Sequence, residues 1–559
     1  MDAVRVLLLT LFALALPASL AHAGGYEFPG DGTRAIGRGG AFAARADDPM
    51  AVVVNPAALG SLPGIQLMAS THLLFAKDCF SRNAPGVDTD GNSTPPEWDA
   101  GWGLVDGNRI PYTEVCNAKG KRFTPIPAIG VTWRVSKQVG MGFMIIPPNS
   151  ERSQRWGNQA YDAPIENSDQ TRRYQGYVDA PQGAVSEGSN RQVPLDNGDD
   201  LLPSPARYLL VDREVTVVYP TFAVGARPLR WLQIGAAFGW GIADTTFTVN
   251  IRNAAAGENP LPVEGQSRLK GQDWFAPRFS AAIHFIPHDN LDIVTVFRWD
   301  DTIKVRGPLE VNVPLFDNLA GEPNSLVGTG TLSAPRPWWV TFGIRYAQRI
   351  VPRPDDPDAP RRESGRVEDQ MSQERWDIEL DVVYEKNSVV DNFDILIEDL
   401  NTAAGTLPQD INTSVAVQHN WRDQLSIRLG GDWNIRPGVV AIRAGFSYET
   451  NGFDGIASRT SKTGTVDFMP GRRFGAHAGV TGRIGKRRYS ELSGAFSYFH
   501  MQPHQNNNGG VEQVVVDPAG GGSQGPGDIV NNGRFTSRYI VASLMYRHFF
   551  QGGRIRGTR

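Results

Sequence analysis

Connections of two lengths alternate along this 559-residue chain, and that alternation limits its fold more than any single motif does. Between them recur segments of about ten residues in which apolar side chains alternate with polar or small ones, the pattern of strands with two different faces. In "LSIRLGGDW", Leu425, Ile427 and Leu429 share one face, and Ser426, Arg428 and Gly430 the other. "VVAIRAGFSY" repeats this with Val440, Ile442, Ala444, Phe446 and Tyr448 against Ala441, Arg443, Gly445 and Ser447. "NIRPG" between them, punctuated by Pro437 and Gly438, makes the two segments a hairpin.

The same reading places strands near 64–76, 125–135, 138–147, 207–227, 231–250, 274–286 and 291–304, then near 331–346, 376–386, 421–434, 439–450, 472–484, 489–501 and 537–550. The total is fourteen, an even number. Long polar connections follow odd-numbered strands, as at Lys77–Thr124, Asn149–Ala206, Ile251–Asp273 and Gln502–Thr536. Tight turns follow even-numbered ones, as at "PHDN" (Pro287–Asn290) and "GKRR" (Gly485–Arg488). Only the link Ala347–Arg375 is long where a short one is due. A soluble sandwich has no reason to sort its connections by parity, whereas an outer-membrane barrel has long loops outside and short turns at the periplasm. The expectation is an all-β chain: a fourteen-stranded antiparallel transmembrane β-barrel over residues 63–550.

The start of the chain agrees with export. Arg5, an apolar run from Val6 to Leu16, Pro17 and Ala21-His22-Ala23 read as a signal peptide over residues 1–23, cleaved after Ala23. The run falls short of the ~20 residues a spanning helix needs. No later window is apolar enough to cross as a helix, and the mean hydropathy is −0.30. A net charge of −4 with dispersed signs gives no argument for a nucleic-acid partner. Cys79 and Cys116 fall in one polar segment, where an even pair in an exported protein reads as a disulfide rather than a metal or catalytic site.

The strand "WDIELDVVYE" indicates which face meets lipid. Trp376, Ile378, Leu380, Val382 and Tyr384 point outward, leaving Asp377, Glu379, Asp381 and Glu385 in the lumen. Like charges at short range need compensation. Arg345 and Arg428, on the neighbouring strands, are the candidate partners, and a structural ion-pair ladder suits a polar barrel interior better than a catalytic carboxylate pair. The last strand, "RYIVASLMYRHFF", carries Ile540, Ala542, Leu544, Tyr546 and Phe550 on one face, with a short tail at 551–559 behind it.

Gly37-Arg38-Gly39-Gly40 invites a phosphate-loop reading, but "GGYEFPGDGTRAI" before it holds Pro29 and no strand core. The stretch reads instead as a compact element: glycines, a short helix around Ala41–Ala46, an "ADDP" stop, and a helical turn at "NPAAL" with Asn55 as N-cap and Pro56 in its first turn. Residues 24–64, and above all the triplet Asn55-Pro56-Ala57, closely resemble the N-terminal region of the FadL family of outer-membrane transporters for long-chain fatty acids and aromatic hydrocarbons. Asn420–Glu449 is similar to that family's strand pair in the C-terminal third.

The resemblance implies a monomeric barrel whose lumen is closed by an N-terminal hatch, residues 24–62. It also implies passive passage of a hydrophobic ligand through the lumen, a hatch shift, and lateral release into outer-membrane lipid at a kinked third strand. No cofactor or metal is implied. Here Gly37, Gly39 and Gly40 would give the hatch torsional freedom, and Asn55, Pro56 and Ala57 would hold its second turn. The third strand, "QVGMGFMIIPP", would open at Gly140, Gly142 and Pro147. Arg428 and Arg443 would be available for a fatty-acid carboxylate, which an aromatic hydrocarbon does not need.

Two further readings compete. A structural or adhesive surface barrel has no use for a gated lumen. A barrel enzyme needs a nucleophile, and the one matching motif, "GGSQG" around Ser523, lies in a glycine-rich loop without the strand-turn-helix context that motif requires, although His284, His477 and His500 lie on strands. The long 149–206 segment would cover or replace the family's outer groove.

Overall fold

In a computed structural model, the described residues are 31–82, 114–118, 123–147, 154–157, 208–253, 265–312, 325–358, 363–402, 410–452, 464–467, 470–507 and 530–550, with a few shorter pieces between them. The signal peptide, Gly24, Gly25, Pro148, Ser523 and the tail 551–559 lie outside them.

Fourteen antiparallel strands close on themselves. They are β1 (Ile65–Arg82), β2 (Phe123–Arg134), β3 (Val139–Ile146), β4 (Leu210–Leu229), β5 (Leu232–Gly239), β6 (Arg278–His288) and β7 (Leu291–Asp300) in the first half. The second half is β8 (Trp339–Arg349), β9 (Glu374–Glu385), β10 (Gln424–Arg436), β11 (Val440–Glu449), β12 (Arg473–Ile484), β13 (Ser490–Met501) and β14 (Gly533–Phe550). Each predicted strand overlaps one of these. Closure comes from β14 pairing with β1 in unbroken register from Ile65↔Phe550 to Arg82↔Gly533. A closed sheet leaves no backbone group unpaired toward lipid, the condition for crossing a bilayer without helices.

Along β9 the outward side chains are Trp376, Ile378 and Leu380, while Asp377, Glu379, Asp381 and Glu385 are buried in the lumen. Aromatic side chains pair at both rims, Tyr346 with Trp376 at one end of the β8–β9 hairpin and Trp338 with Tyr384 at the other, as the interfacial girdles of such barrels do.

Three segments predicted as single strands are broken. The stretch 231–250 splits at Trp240 and Gly241, 291–304 at Asp301 and Thr302, and 331–346 between Ala334 and Trp339. Gly241 marks a close backbone approach, since a Cβ there would stand 2.1 Å from the Ala276 carbonyl oxygen. Beyond the break the chain leaves the barrel wall and builds a second sheet. The first half of β4 pairs with Ile242–Asn253, and the sheet continues through Gly265–Asp273, Ile303–Asn312, Ser325–Ala334, Asn392–Thr402 and Ile411–Gln418. Within 149–206, four short strands form a small sheet of their own. Cys79 and Cys116 are directly opposite in register and joined as a disulfide, tying the first long loop back to β1.

Residues 31–62 lie inside the barrel. A helical turn α1 (Thr33–Ile36), a second α2 (Ala51–Val54), a 3-10 helix (Pro56–Ser61) and the connection between α1 and α2 carry the buried side chains Ala35, Phe42, Met50, Ala51, Val52 and Leu59 against inward residues of the wall such as Met68, Met144 and Ala223. The predicted helix at Ala41–Ala46 is instead a turn. Its amide groups are bonded to the wall, which removes the donors a helix would use.

Candidate functional site

The plug is seated on glycines of the wall. Gly140, Gly225 and Gly235 form one row across β3, β4 and β5. A Cβ at Gly140 would lie 2.0 Å from the Leu59 carbonyl oxygen, one at Gly225 2.3 Å from that of Pro56, and one at Gly235 2.3 Å from the amide nitrogen of Ala57. The Pro56–Ser61 helix therefore rests directly on sheet backbone. A second row, Gly430 opposite Gly445 on β10 and β11, seats Arg38, whose backbone would be 2.2 and 2.1 Å from the two added Cβ atoms. Gly142 meets the Val52 side chain in the same way, at 2.4 Å. Gly140 and Gly142 are paired on both sides, with β2 and with β4, and Pro147 follows the last residue of β3.

Charge holds the other side. Arg38 reaches Asp377 at 3.0 Å, Asp432 at 2.7 Å and Glu379 at 2.9 Å. Arg45 reaches Asp377 at 3.0 Å, and Arg34 grips Asp47 at 2.7 and 3.0 Å. The turn 42–45 adds its backbone: Phe42 and Ala43 donate to one Asp381 oxygen at 2.9 and 3.0 Å, and Ala44 donates to Glu379 at 2.7 Å. Buried charges persist only when paired and hydrogen-bonded. Here the acidic strand supplies acceptors and the plug supplies both guanidinium and amide donors. Within the plug, burial alone would raise the Asp47 carboxyl, but Arg34 and Arg45 pull it below the usual carboxylate range. Burial raises neighbouring Asp48.

The expected ladder partners divide. Arg345 bonds Asp377 at 2.5 Å and Asp292 at 3.1 Å and pairs with Glu374. Arg428 forms no ion pair among the described residues; it faces Asp381 across the β9–β10 pair but gives its Nε to Ser426 at 3.0 Å. Its expected role falls to Arg38 and Arg45, which come from the plug.

Asn55 caps the 3-10 helix, its Oδ1 accepting from Ala57 at 3.1 Å, while its Nδ2 donates to the Ala43 carbonyl at 2.7 Å and lies 3.5 Å from His284. It thus binds the plug's two turns to each other. Pro56 opens the helix, and Ala57 is wholly buried. Gly39 and Gly40 have φ of +69° and +83°, which only glycine adopts without strain, and the seat under Gly39 is the Phe446 backbone. Gly37 ends α1 with ordinary helical torsions and packs against the side chain of Arg443.

Beside the plug runs a set of polar side chains, and next to it a buried apolar cluster. Arg428 lies opposite Ser447, which bonds His477 at 2.9 Å; His477 in turn bonds Ser497 at 2.7 Å, and the Ser497 hydroxyl donates to the Ile36 carbonyl. The His477 ring stands 5.0 Å from that of Phe499. Phe499 belongs to a buried cluster with Ile36, Leu74, Trp156, Tyr208 and Tyr539. Arg443, the other expected carboxylate ligand, is committed to Asp432 at 3.3 Å and Thr481 at 2.6 Å.

This fold, a fourteen-stranded barrel with residues 31–62 inside it, is the fold of solved outer-membrane barrels of the FadL type. A FadL homologue from Pseudomonas aeruginosa superimposes with a TM-score of 0.61 at 15% identity, over 94% of this chain and all of that one. The toluene transporter TbuX of Ralstonia pickettii gives 0.55 at 12% identity over 94% and 99% of the two chains. The toluene transporter TodX of P. putida gives 0.55 at 10% over 94% and 100%. No family model and no curated protein matches the sequence.

Proposed function

We propose that the protein carries hydrophobic compounds across the outer membrane, passively, with long-chain fatty acids as the preferred cargo. The observation that carries this reading is Arg428: a half-buried arginine on the face of β10 that carries Ser426 and Asp432, opposite Ser447, with no ion-pair partner among the described residues. A carboxylate bound there gains a charge-assisted hydrogen bond, while the alkyl chain lies against the cluster around Phe499 and Tyr539. The toluene transporters among the structural neighbours support a second cargo, an aromatic hydrocarbon that fills the chamber without using Arg428.

The plug, residues 24–62, acts as the hatch. Its contacts combine an apolar face, packed on Met68, Met144 and Ala223, with a polar face of ion pairs and amide bonds to the acidic strand, and it is the polar set that can be exchanged for others during a shift. Release is sideways, with the wall around Gly140, Gly142 and Pro147 as the exit. The protein performs no chemistry on its cargo: His284 bonds Asp292 and faces Asn55, His477 is taken up by the wall hydroxyls of Ser447 and Ser497, and His500 is exposed. It works as a monomer after removal of residues 1–23.

A density map of protein purified from its native membrane tests the cargo. Elongated density with its head at Arg428 supports a fatty acid, and a compact disc away from Arg428 supports an aromatic. A chamber holding only ordered water would contradict both.

A further inference from the structure

The link between β8 and β9 is the long one where a short turn is due, and its path accounts for its length. Leaving β8, Arg353 bonds Asp292 at 2.9 and 3.0 Å and the Asp289 carbonyl at 3.3 Å, at the β6–β7 turn. The carbonyls of Pro354 and Asp355 accept from Arg227, and Asp355 pairs with Arg230 at 2.5 Å, both at the β4–β5 turn. Asp358 reaches Arg134 at the β2–β3 turn. On the return, Val367 donates to the Arg487 carbonyl at the β12–β13 turn, and the Met371 carbonyl accepts from Gly438 at the β10–β11 turn. One segment thus touches all five of the other hairpin turns on that rim.

The segment is fixed, not draped. Asp369 caps the helical turn α3 (Gln370–Gln373) through a reciprocal capping box with Ser372, and pairs with Arg483 at 2.5 Å and Arg547 at 3.6 Å. Val367 and Met371 are wholly buried. It also lies against the plug: the Gln370 side chain donates to the Arg45 carbonyl, and a small cavity of about 60 Å³ is lined jointly by Arg45, Asp47 and Leu62 above and Arg353, Pro357 and Gln370 below. Two polar relays join the layers. Arg353 shares Asp292 with His284, which faces Asn55, and Arg547 holds both Asp369 and the Asp47 carbonyl at 2.7 Å.

We propose that the described residues 350–358 and 363–373 form a strap, a second closure in series with the plug that keeps the periplasmic mouth shut when the plug moves. The geometry rests on the barrel and the plug alone and holds whichever compound is carried. Its consequence is directional: anything passing the plug meets the strap below and has the wall as its exit. Asp292 and Asp369 are the two latches, each a wall or strap carboxylate that ties the strap to a plug-holding group.

Conductance in planar bilayers separates the two closures. Four proteins are compared: the native chain, a deletion of 24–60, the native chain with 354–368 replaced by a short glycine-serine linker, and the combination. Assembly of each is checked by its heat-modifiable migration. The strap replacement alone should stay closed, because the plug remains. The plug deletion alone should conduct weakly, and the combination several-fold more. Should the combination fail to assemble, Arg353→Ala with Asp369→Ala in the plug-deleted barrel replaces it, with the same several-fold rise expected. Equal conductance with and without an intact strap in the plug-deleted barrel would overturn the proposal.

Discussion

Asp381, on the barrel wall, accepts the backbone amide of Phe42, in the plug, at 2.9 Å, and with the same oxygen that of Ala43 at 3.0 Å. A carboxylate in the wall therefore does what a helix's own carbonyls would have done for that stretch of chain. It follows that Asp381→Asn, with Glu379→Gln as its companion, should loosen the plug without opening the barrel. Removing one side of a buried charged network costs about 3–5 kcal/mol. Single-channel recordings should show more frequent openings, and unchanged heat-modifiable migration should show an intact barrel.

The glycine rows make a steric prediction. Gly225→Leu places a side chain where the Pro56 carbonyl oxygen would be 2.3 Å from its Cβ, and overpacking of that kind costs about 1–3 kcal/mol. The plug should be displaced and conductance should rise. Gly482→Ala, whose Cβ meets nothing within 4 Å, is the matched control and should leave conductance as it was.

Asn55→Ala with Pro56→Ala removes the cap of the 3-10 helix and the bond to Ala43. Loss of a cap is worth about 1 kcal/mol, too little to unfold a barrel and enough to misplace a turn. Oleate uptake by cells carrying the variant should fall while the assembled protein stays abundant. Normal uptake would remove the gating role assigned to this pair.

Arg428→Ala separates the cargo classes. A hydrogen bond to a charged group contributes about 1.5–3 kcal/mol, so oleate affinity should fall roughly tenfold or more. Toluene binding, which needs no cation, should be unchanged. Equal losses for both would mean that Arg428 shapes the chamber rather than binding a carboxylate.

Most of the barrel is legible in the sequence, because a wall with lipid on one side and polar groups on the other imposes period two on its strands and a parity on all but one of its connections. The acidic face of β9 is equally legible from Asp377, Glu379 and Asp381. Its partners are not. Arg38 and Arg45 lie more than three hundred residues away in the chain, and only the docking of the plug brings them there, while Arg428, adjacent in the sheet, gives its Nε to Ser426 instead. The wall glycines hide in a similar way. Gly430 and Gly445 read as ordinary members of an alternating pattern, and become a seat only once the β10–β11 register sets them opposite each other. The strap was visible as an anomaly of length, but its path across the rim depends on the positions of five other turns.

Transfer of labelled oleate from the outer solution into the bilayer of proteoliposomes tests the central claim most directly. The native protein should accelerate transfer over protein-free liposomes, and the Asn55→Ala, Pro56→Ala variant, assembled to the same level, should lose most of that acceleration. Transfer no faster than through protein-free liposomes, for oleate and for toluene alike, would contradict the account.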